Sequence, residues 1–291
     1  MVTSRAATID LDAAYASCVR DARGHYENFP VASLLVPRDM RRDVAAIYAF
    51  ARAADDFADE GHLSIDDRHH LLEGWRRRLQ HAAASDEAGP DPRPGEPPNT
   101  VAIFRALGAS IRARGLPLIL FEDLLSAFRQ DVTVTSYDDW PELLDYCRRS
   151  ANPVGRLVLR IARYRDPQLD AWSDAMCTAL QLTNFWQDLS VDSARGRSYL
   201  PERELLAHGT REAALAAAIR RTRALFDAGR PLCDAVRGRL RYELRATWLG
   251  GVRILDRVQR SRLDVVNSRP VLGALDVPWI TARLLVWSLS T

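Results

Sequence analysis

Apolar residues recur at helical spacing along nearly the whole chain, and strand-like alternation is scarce. Turn signals lie too far apart for a β-sandwich, so the pattern restricts the chain to an all-α architecture. Pro37 precedes a long periodic stretch, Arg41–Phe57, and Ser64 is placed to N-cap another, Ile65 to Ala84. Residues 85–100 hold five of the fifteen prolines and cannot be helical. Each flank alone looks incomplete, so this segment reads as a long exposed loop within a single domain spanning 1–291. Further helices are expected near Val101–Arg114, Pro117–Val132, Trp140–Ala151 and Pro153–Tyr164, then one long helix over Pro167–Asp192. The last third predicts Arg211–Ala228, Pro231–Arg260 with a break, and a terminal segment, Val277–Leu289. That segment is too short to span a bilayer and is interrupted by Arg283, so burial is expected over a place at the membrane surface.

With 47% hydrophobic and 27% charged residues, the 291-residue chain can bury a large core and does not resemble a disordered or membrane-bundle composition. A net charge of +2 without a long basic run gives no support for a nucleic-acid partner. Every basic residue is arginine, which excludes lysine Schiff-base chemistry and a Walker-type phosphate loop. Cys18, Cys147, Cys177 and Cys233 are scattered, and the six histidines have no ligand spacing, so neither a zinc site nor a disulfide framework is indicated. Met1 to Ala14 has no apolar core and is not a secretory signal, so a cytoplasmic location is expected.

Two acidic clusters carry the chemistry. Asp55 and Asp59 are four residues apart near the end of an otherwise apolar helix. There, like charges and the helix dipole both oppose stability, so a compensating positive partner is expected. Gln181, Asn184, Asp188 and Asp192 form a polar stripe flanked by Leu182, Phe185, Trp186 and Leu189. Two carboxylate pairs across a cavity suit Mg²⁺, which takes oxygen ligands and is commonly held by a few carboxylates plus substrate phosphates. Departure of a diphosphate would leave a cation needing an apolar, aromatic-lined pocket.

At these clusters the chain resembles the head-to-head prenyl synthases: squalene, dehydrosqualene and phytoene synthases. The resemblance runs from about His25 to Arg269. Its pieces are Tyr48-Ala49-Phe50-Ala51-Arg52 leading into Asp55–Asp59, the stretch Tyr146 to Gly155, Gln181–Asp192, and Gly196 to Pro201. It implies an isoprenoid synthase fold, one helical domain around a central cavity. It implies Asp55, Asp59, Asp188 and Asp192 as ligands of two or three Mg²⁺ ions with the diphosphate. Tyr48, Arg52, Gln181 and Asn184 would bind the diphosphate or its metals, Tyr146 would lie near the ionising carbon, and Arg197 and Tyr199 would sit in a loop over the diphosphate. Arg269 falls at the family's late arginine, and His25 and Phe29 at its N-terminal substrate segment.

The chain also departs from the common family pattern. Gln187 stands where an arginine usually precedes the third aspartate, Asn152-Pro153 replaces a small Ala-Gly pair, and His25–Pro30 replaces a serine-rich segment. These features resemble the hydroxysqualene synthase branch of bacterial hopanoid biosynthesis. That resemblance implies ionisation of presqualene diphosphate, rearrangement and capture by water, with no nicotinamide cofactor consumed. Gln187 would help orient the leaving group, Phe29 and Tyr146 would hold the cation, and Asn152 or Tyr146 would place the water. The rival readings are a synthase condensing two prenyl diphosphates and a non-catalytic assembly factor of the same fold. An isoprenoid diphosphate substrate, coupling to a presqualene diphosphate synthase and a downstream reductase, and peripheral contact with the inner membrane face complete the expectations.

Overall fold

The computed structural model describes residues 10–24, 35–59, 63–86, 89–261 and 269–287. Among these residues there are fourteen α-helices and no strand. The expected all-α class is what the chain adopts. None of the described helices is long and apolar enough to cross a membrane. The chain divides into two compact units, 1–133 with 157–164, and 134–156 with 165–291.

Unit 1 contains α1 (Leu11–Gly24), α2 (Arg41–Asp59), α3 (Ile65–Ala84), α4 (Thr100–Arg114) and α5 (Leu118–Asp131). Ser64 caps α3 as its sequence predicts, accepting from the Asp67 N–H at 3.1 Å. The core is aromatic. Phe50 on α2 stacks near Trp75 and meets Phe104 and Phe121 edge-on, while Trp75 packs 4.5 Å from Phe104 and donates its indole N–H to the Phe50 carbonyl. Between α1, α2 and α4, the Asp43 carboxylate is buried but fully engaged. It accepts from Ser110 at 2.8 Å and Arg114 at 2.8 Å, with Tyr15 against Ser110 at 2.9 Å.

The proline-rich stretch is less loose than its composition suggests. Arg78 on α3 reaches into it as a buried fork, binding both Glu96 oxygens and the carbonyls of Pro90 and Asp91. Every partner in this pair is satisfied by geometry, which is the condition under which a buried ion pair is tolerated.

Unit 2 is built around α8 (Pro167–Gln187), which packs on α11 (Arg211–Gly229), α13 (Gly238–Ser261), α6 (Trp140–Ser150) and α12 (Leu232–Ala235). Asp166 caps α8, with Pro167 at its first turn, and Asp139 caps α6. Trp186 donates to Thr222 across the α8–α11 seam at 2.8 Å. Gly229 and Gly251 allow close approach, since a Cβ at either would lie within 3.0 Å of atoms on the facing elements. The chain passes from unit 2 to unit 1 within α7 (Asn152–Ile161) and returns at Arg165.

Two expectations need correction. The helix expected over Pro167–Asp192 is interrupted at Asp188, whose backbone (φ −99°, ψ 13°) lies outside the helical region. The short α9 (Leu189–Ala194) follows. The break falls where the Asp188 carboxylate is drawn to Arg269. The terminal segment is the second. It forms α14 (Asp276–Leu285), which packs on α13 through one side and leaves Val277 and Leu285 exposed, so it is not buried as expected. Hydrophobic content alone does not distinguish a core helix from one with an apolar outer face. The remaining helices, α10 (Glu202–His208) and α12, are short connectors.

Candidate active site

In unit 1 the site residues lie along the last turns of α2. Tyr48, Arg52 and Asp55 follow at four- and three-residue spacing, so they share one side of the helix. Arg52 is the positive partner that the acidic cluster demands: its guanidinium lies 3.5 Å from Asp55 and 2.7 Å from Asp56. A second compensation comes from Arg68 on α3, which donates to the Ala58 carbonyl at the α2 C-terminus at 3.0 Å. Burial is the main influence raising the Tyr48 phenol above its ordinary pKa, with the Arg52 charge opposing it. Asp59 is exposed. Among the described residues the Arg52 Nε is buried without a hydrogen-bond partner, a donor suited to an oxygen-rich anion. His25 and Phe29 lie outside the described residues.

In unit 2, Gln181, Asn184, Asp188 and Asp192 keep one face despite the interruption, because the ladder persists: Asp188 N–H to Asn184 O at 2.9 Å and Asp192 N–H to Asp188 O at 2.8 Å. Arg269 grips Asp188 with both nitrogens of its fork, Nε on Oδ1 and Nη2 on Oδ2 at 3.2 Å. Residues 269–275, the irregular strap ahead of α14, are held at Pro270 as well, since the buried Gln187 donates to its carbonyl at 2.5 Å. Gln187 therefore faces the strap that carries Arg269, on a different side of α8 from the Gln181–Asp188 stripe.

Behind Asp188 lies an aromatic cluster. Phe185, one turn before it on α8, stacks on Tyr199 at 3.7 Å with nearly parallel rings. Tyr146 on α6 sits 6.1 Å from Phe185 and 6.4 Å from Tyr199. Tyr137, which the sequence reading did not single out, completes the group at 5.6 Å from Tyr146 and 5.8 Å from Tyr199. All four rings are buried. The segment carrying Arg197 and Tyr199 is fastened by backbone hydrogen bonds, Ser198 N–H to Thr135 O, Glu202 N–H to Tyr137 O and Arg197 N–H to Asp192 O. Asn152, first residue of α7, is buried and accepts from the Thr178 hydroxyl at 2.9 Å.

Among the described residues no three Asp, Glu, His or Cys side chains converge as a metal-holding group. Pairs of carboxylates remain, Asp55 with Asp59 and Asp188 with Asp192. An all-oxygen set of low count fits Mg²⁺, which completes its octahedron with water and substrate phosphate, and does not fit a structural zinc site. The thiols are not candidates. Burial pushes Cys18 and Cys233 up to about 12 and Cys177 up to about 11, and it raises Cys147 as well.

The model of the squalene/phytoene synthase family matches residues 22–276. A hydroxysqualene synthase from Zymomonas mobilis is 40% identical over 190 residues, covering 64% of this chain and 59% of the relative. One from Rhodopseudomonas palustris is 37% identical over 198 residues, covering 67% and 62%. The chain thus spans about three fifths of the length of these curated relatives. A squalene synthase crystal structure from Alicyclobacillus acidocaldarius superposes with a TM-score of 0.77 at 36% identity, over 88% of this chain and 97% of that one.

Proposed function

Because the chain belongs to the squalene/phytoene synthase family, we propose that it converts presqualene diphosphate and water to hydroxysqualene and diphosphate. Similarity to the Z. mobilis and R. palustris enzymes supports this choice of substrate. The observation that carries it is the junction on α8. Phe185 and Asp188 are three residues apart, so the aromatic cluster of Tyr137, Tyr146, Phe185 and Tyr199 lies one helical turn from the carboxylate. A carboxylate suited to hold the metal that would neutralise a departing anion, and aromatic faces that stabilise the cation left behind, are thereby adjacent.

Asp55, Asp59, Asp188 and Asp192 are the carboxylates that would hold Mg²⁺, which when bound supplies charge neutralisation to the leaving diphosphate. Arg52 offers its guanidinium, including the unpartnered Nε, to phosphate oxygens. Arg269, which holds Asp188 here, would offer its guanidinium to phosphate oxygens as well. Gln181 and Asn184 would orient the leaving diphosphate by hydrogen bonds, and Arg197 lies on the segment fastened to Asp192. Tyr48, one turn before Arg52 on α2, would bind the diphosphate as well. Gln187 contributes through Pro270, fixing the strap from which Arg269 reaches. The C–O bond to diphosphate breaks with its electron pair leaving on oxygen, and the cyclopropylcarbinyl cation rearranges against the aromatic rings. A water placed by Asn152 or Tyr146 forms the new C–O bond and gives its proton to solvent. Thr178 fixes the Asn152 side chain for that task.

A second reading, condensation of two prenyl diphosphates, is supported by similarity to the A. acidocaldarius squalene synthase. One experiment separates the two. Purified protein with Mg²⁺ and no nicotinamide cofactor is given presqualene diphosphate and farnesyl diphosphate in separate reactions. Hydroxysqualene from the first and no consumption of the second is the expected result. Consumption of farnesyl diphosphate would replace this reading with the condensing one.

A further inference from the structure

The buried hydroxyls around α8 are committed to partners. Thr178 donates to Asn152 at 2.9 Å and Thr183 to the Ala179 carbonyl at 2.7 Å. Thr222 donates to the Ala218 carbonyl at 2.9 Å while it accepts from Trp186, and Ser173 bonds to the Cys177 sulfur. Ser150 differs. Its Oγ is buried and is the one buried hydroxyl without a hydrogen-bond partner among the described residues. It does not bond back to the carbonyl one turn earlier, as Thr183 and Thr222 do. A hydroxyl shut away in this state costs stability, and native proteins keep such a group where a water, an ion or a reacting group meets it.

The place of Ser150 in unit 2 selects among these. It is the last residue of α6, four after Tyr146, so the two side chains follow one another on one face of the helix. Tyr146 belongs to the aromatic cluster with Tyr137, Phe185 and Tyr199, and Ser150 extends that wall by one turn toward α7. The junction is clamped on α8. Asn152 is tied to Thr178, and Gly155 lets α7 approach so closely that a Cβ there would collide with Ser173 and Cys177. A water that attacks a cation must keep a lone pair directed at carbon. A donor set against that water ties up a lone pair, whereas an acceptor takes one of its hydrogens and leaves its oxygen free. Asn152 Oδ1 is already engaged by Thr178, and the amide nitrogen can only donate. Ser150 Oγ, with its lone pairs uncommitted, supplies an acceptor beside the rings, and a water in an apolar pocket needs such a polar partner.

We propose that Ser150 holds the water that captures the cation, and so decides between alcohol and hydrocarbon products. This role rests on the ionisation of presqualene diphosphate proposed above. The water oxygen forms the C–O bond with its lone pair, and the surplus proton of the resulting oxonium passes to solvent. Ser150 accepts a hydrogen bond throughout and gains no net proton. The test follows diphosphate release and organic products separately, with presqualene diphosphate, for wild type, Ser150→Ala and Ser150→Thr. Ser150→Ala breaks no hydrogen bond within the protein, so it should keep the wild-type melting temperature. Its hydroxysqualene formed per diphosphate released should fall at least about tenfold, because the nucleophile is no longer positioned. Hydrocarbon should make up the balance, formed when the cation instead loses a proton to the departed diphosphate. Ser150→Thr keeps the hydroxyl and should restore most of the alcohol. An unchanged ratio of alcohol to diphosphate in Ser150→Ala would overturn the role of Ser150 and leave the reaction standing. Wild-type protein that releases no diphosphate from presqualene diphosphate would overturn the substrate reading itself, and this role with it.

Discussion

Replacing Arg269 by glutamine separates a structural role from a role in charge neutralisation, because the structure bounds the first of these tightly. The Arg269–Asp188 pair is partly solvated, with side-chain exposures of 37% and 26%. Pairs of that kind contribute about 0.2–1 kcal/mol, and a two-nitrogen fork belongs near the upper end. At about 1 kcal/mol the melting temperature of a chain this size should fall by roughly 2–4 °C at most. If Arg269 also meets the leaving diphosphate, removing it costs a preorganised donor at a site of developing charge, a loss of about 10²–10³ in rate. The expected outcome is thus a nearly unchanged melt with kcat/KM on presqualene diphosphate reduced by at least about 100-fold. A second readout points the other way: with Asp188 no longer engaged by a guanidinium, half-saturating Mg²⁺ should fall. Activity within about fivefold of wild type would reduce Arg269 to a surface counter-ion and refute the reasoning. A melting point lowered by more than about 10 °C would show that the strap is structural instead.

Gln187→Ala removes the hydrogen bond to Pro270 and should cost about 0.5–1.5 kcal/mol in denaturant unfolding. It should also reproduce part of the Arg269 phenotype in kcat, which a purely structural residue would not. Glu96→Ala leaves the buried Arg78 guanidinium without its counter-charge, so urea unfolding should show a loss of about 3–5 kcal/mol, with kinetics at permissive temperature unchanged. The Gly273 N–H first, and then Arg253 and Arg257, hold the Asp276 carboxyl below the ordinary aspartate range. Its stabilising contribution is therefore complete above the unfolded aspartate pKa of about 3.9 and is lost as pH falls through the lowered folded value. In a pH series of thermal melts, Asp276→Asn should lower stability at neutral pH and flatten the acid limb.

The order of helices was legible because each signal was local. Ser64, Asp139 and Asp166 cap helices within three residues of themselves, and the Asp55–Asp59 spacing lies within one turn of α2. What escaped the sequence reading is held by long-range contacts. Gln187 meets Pro270 across 83 residues and Asp188 meets Arg269 across 81, so no window of helical periodicity contains either pair. The site residues Gln187 and Arg269 could be named by resemblance, but not their connection through one strap. Tyr137 escaped for a related reason. It precedes α6 in an irregular segment, and its place beside Tyr146 and Tyr199 is fixed by the Ser198–Thr135 and Glu202–Tyr137 backbone bonds rather than by any repeat.

The two corrections have a common physical origin. Asp188 ends α8 and begins α9, a local backbone departure at a residue whose side chain is committed to a distant partner. In α14 the apolar content was read correctly and its burial was not, because Val277 and Leu285 have the same periodicity whether they face a core or lie exposed. The decisive information sits on the opposite side of that helix, where Asp276 and Trp287 consume four arginines and fix which face points outward. Both cases turn on arginine, the chain's only strongly basic side chain. Its planar fork binds carboxylates, backbone carbonyls and indole faces alike, so its spacing in the sequence does not reveal which of these it serves.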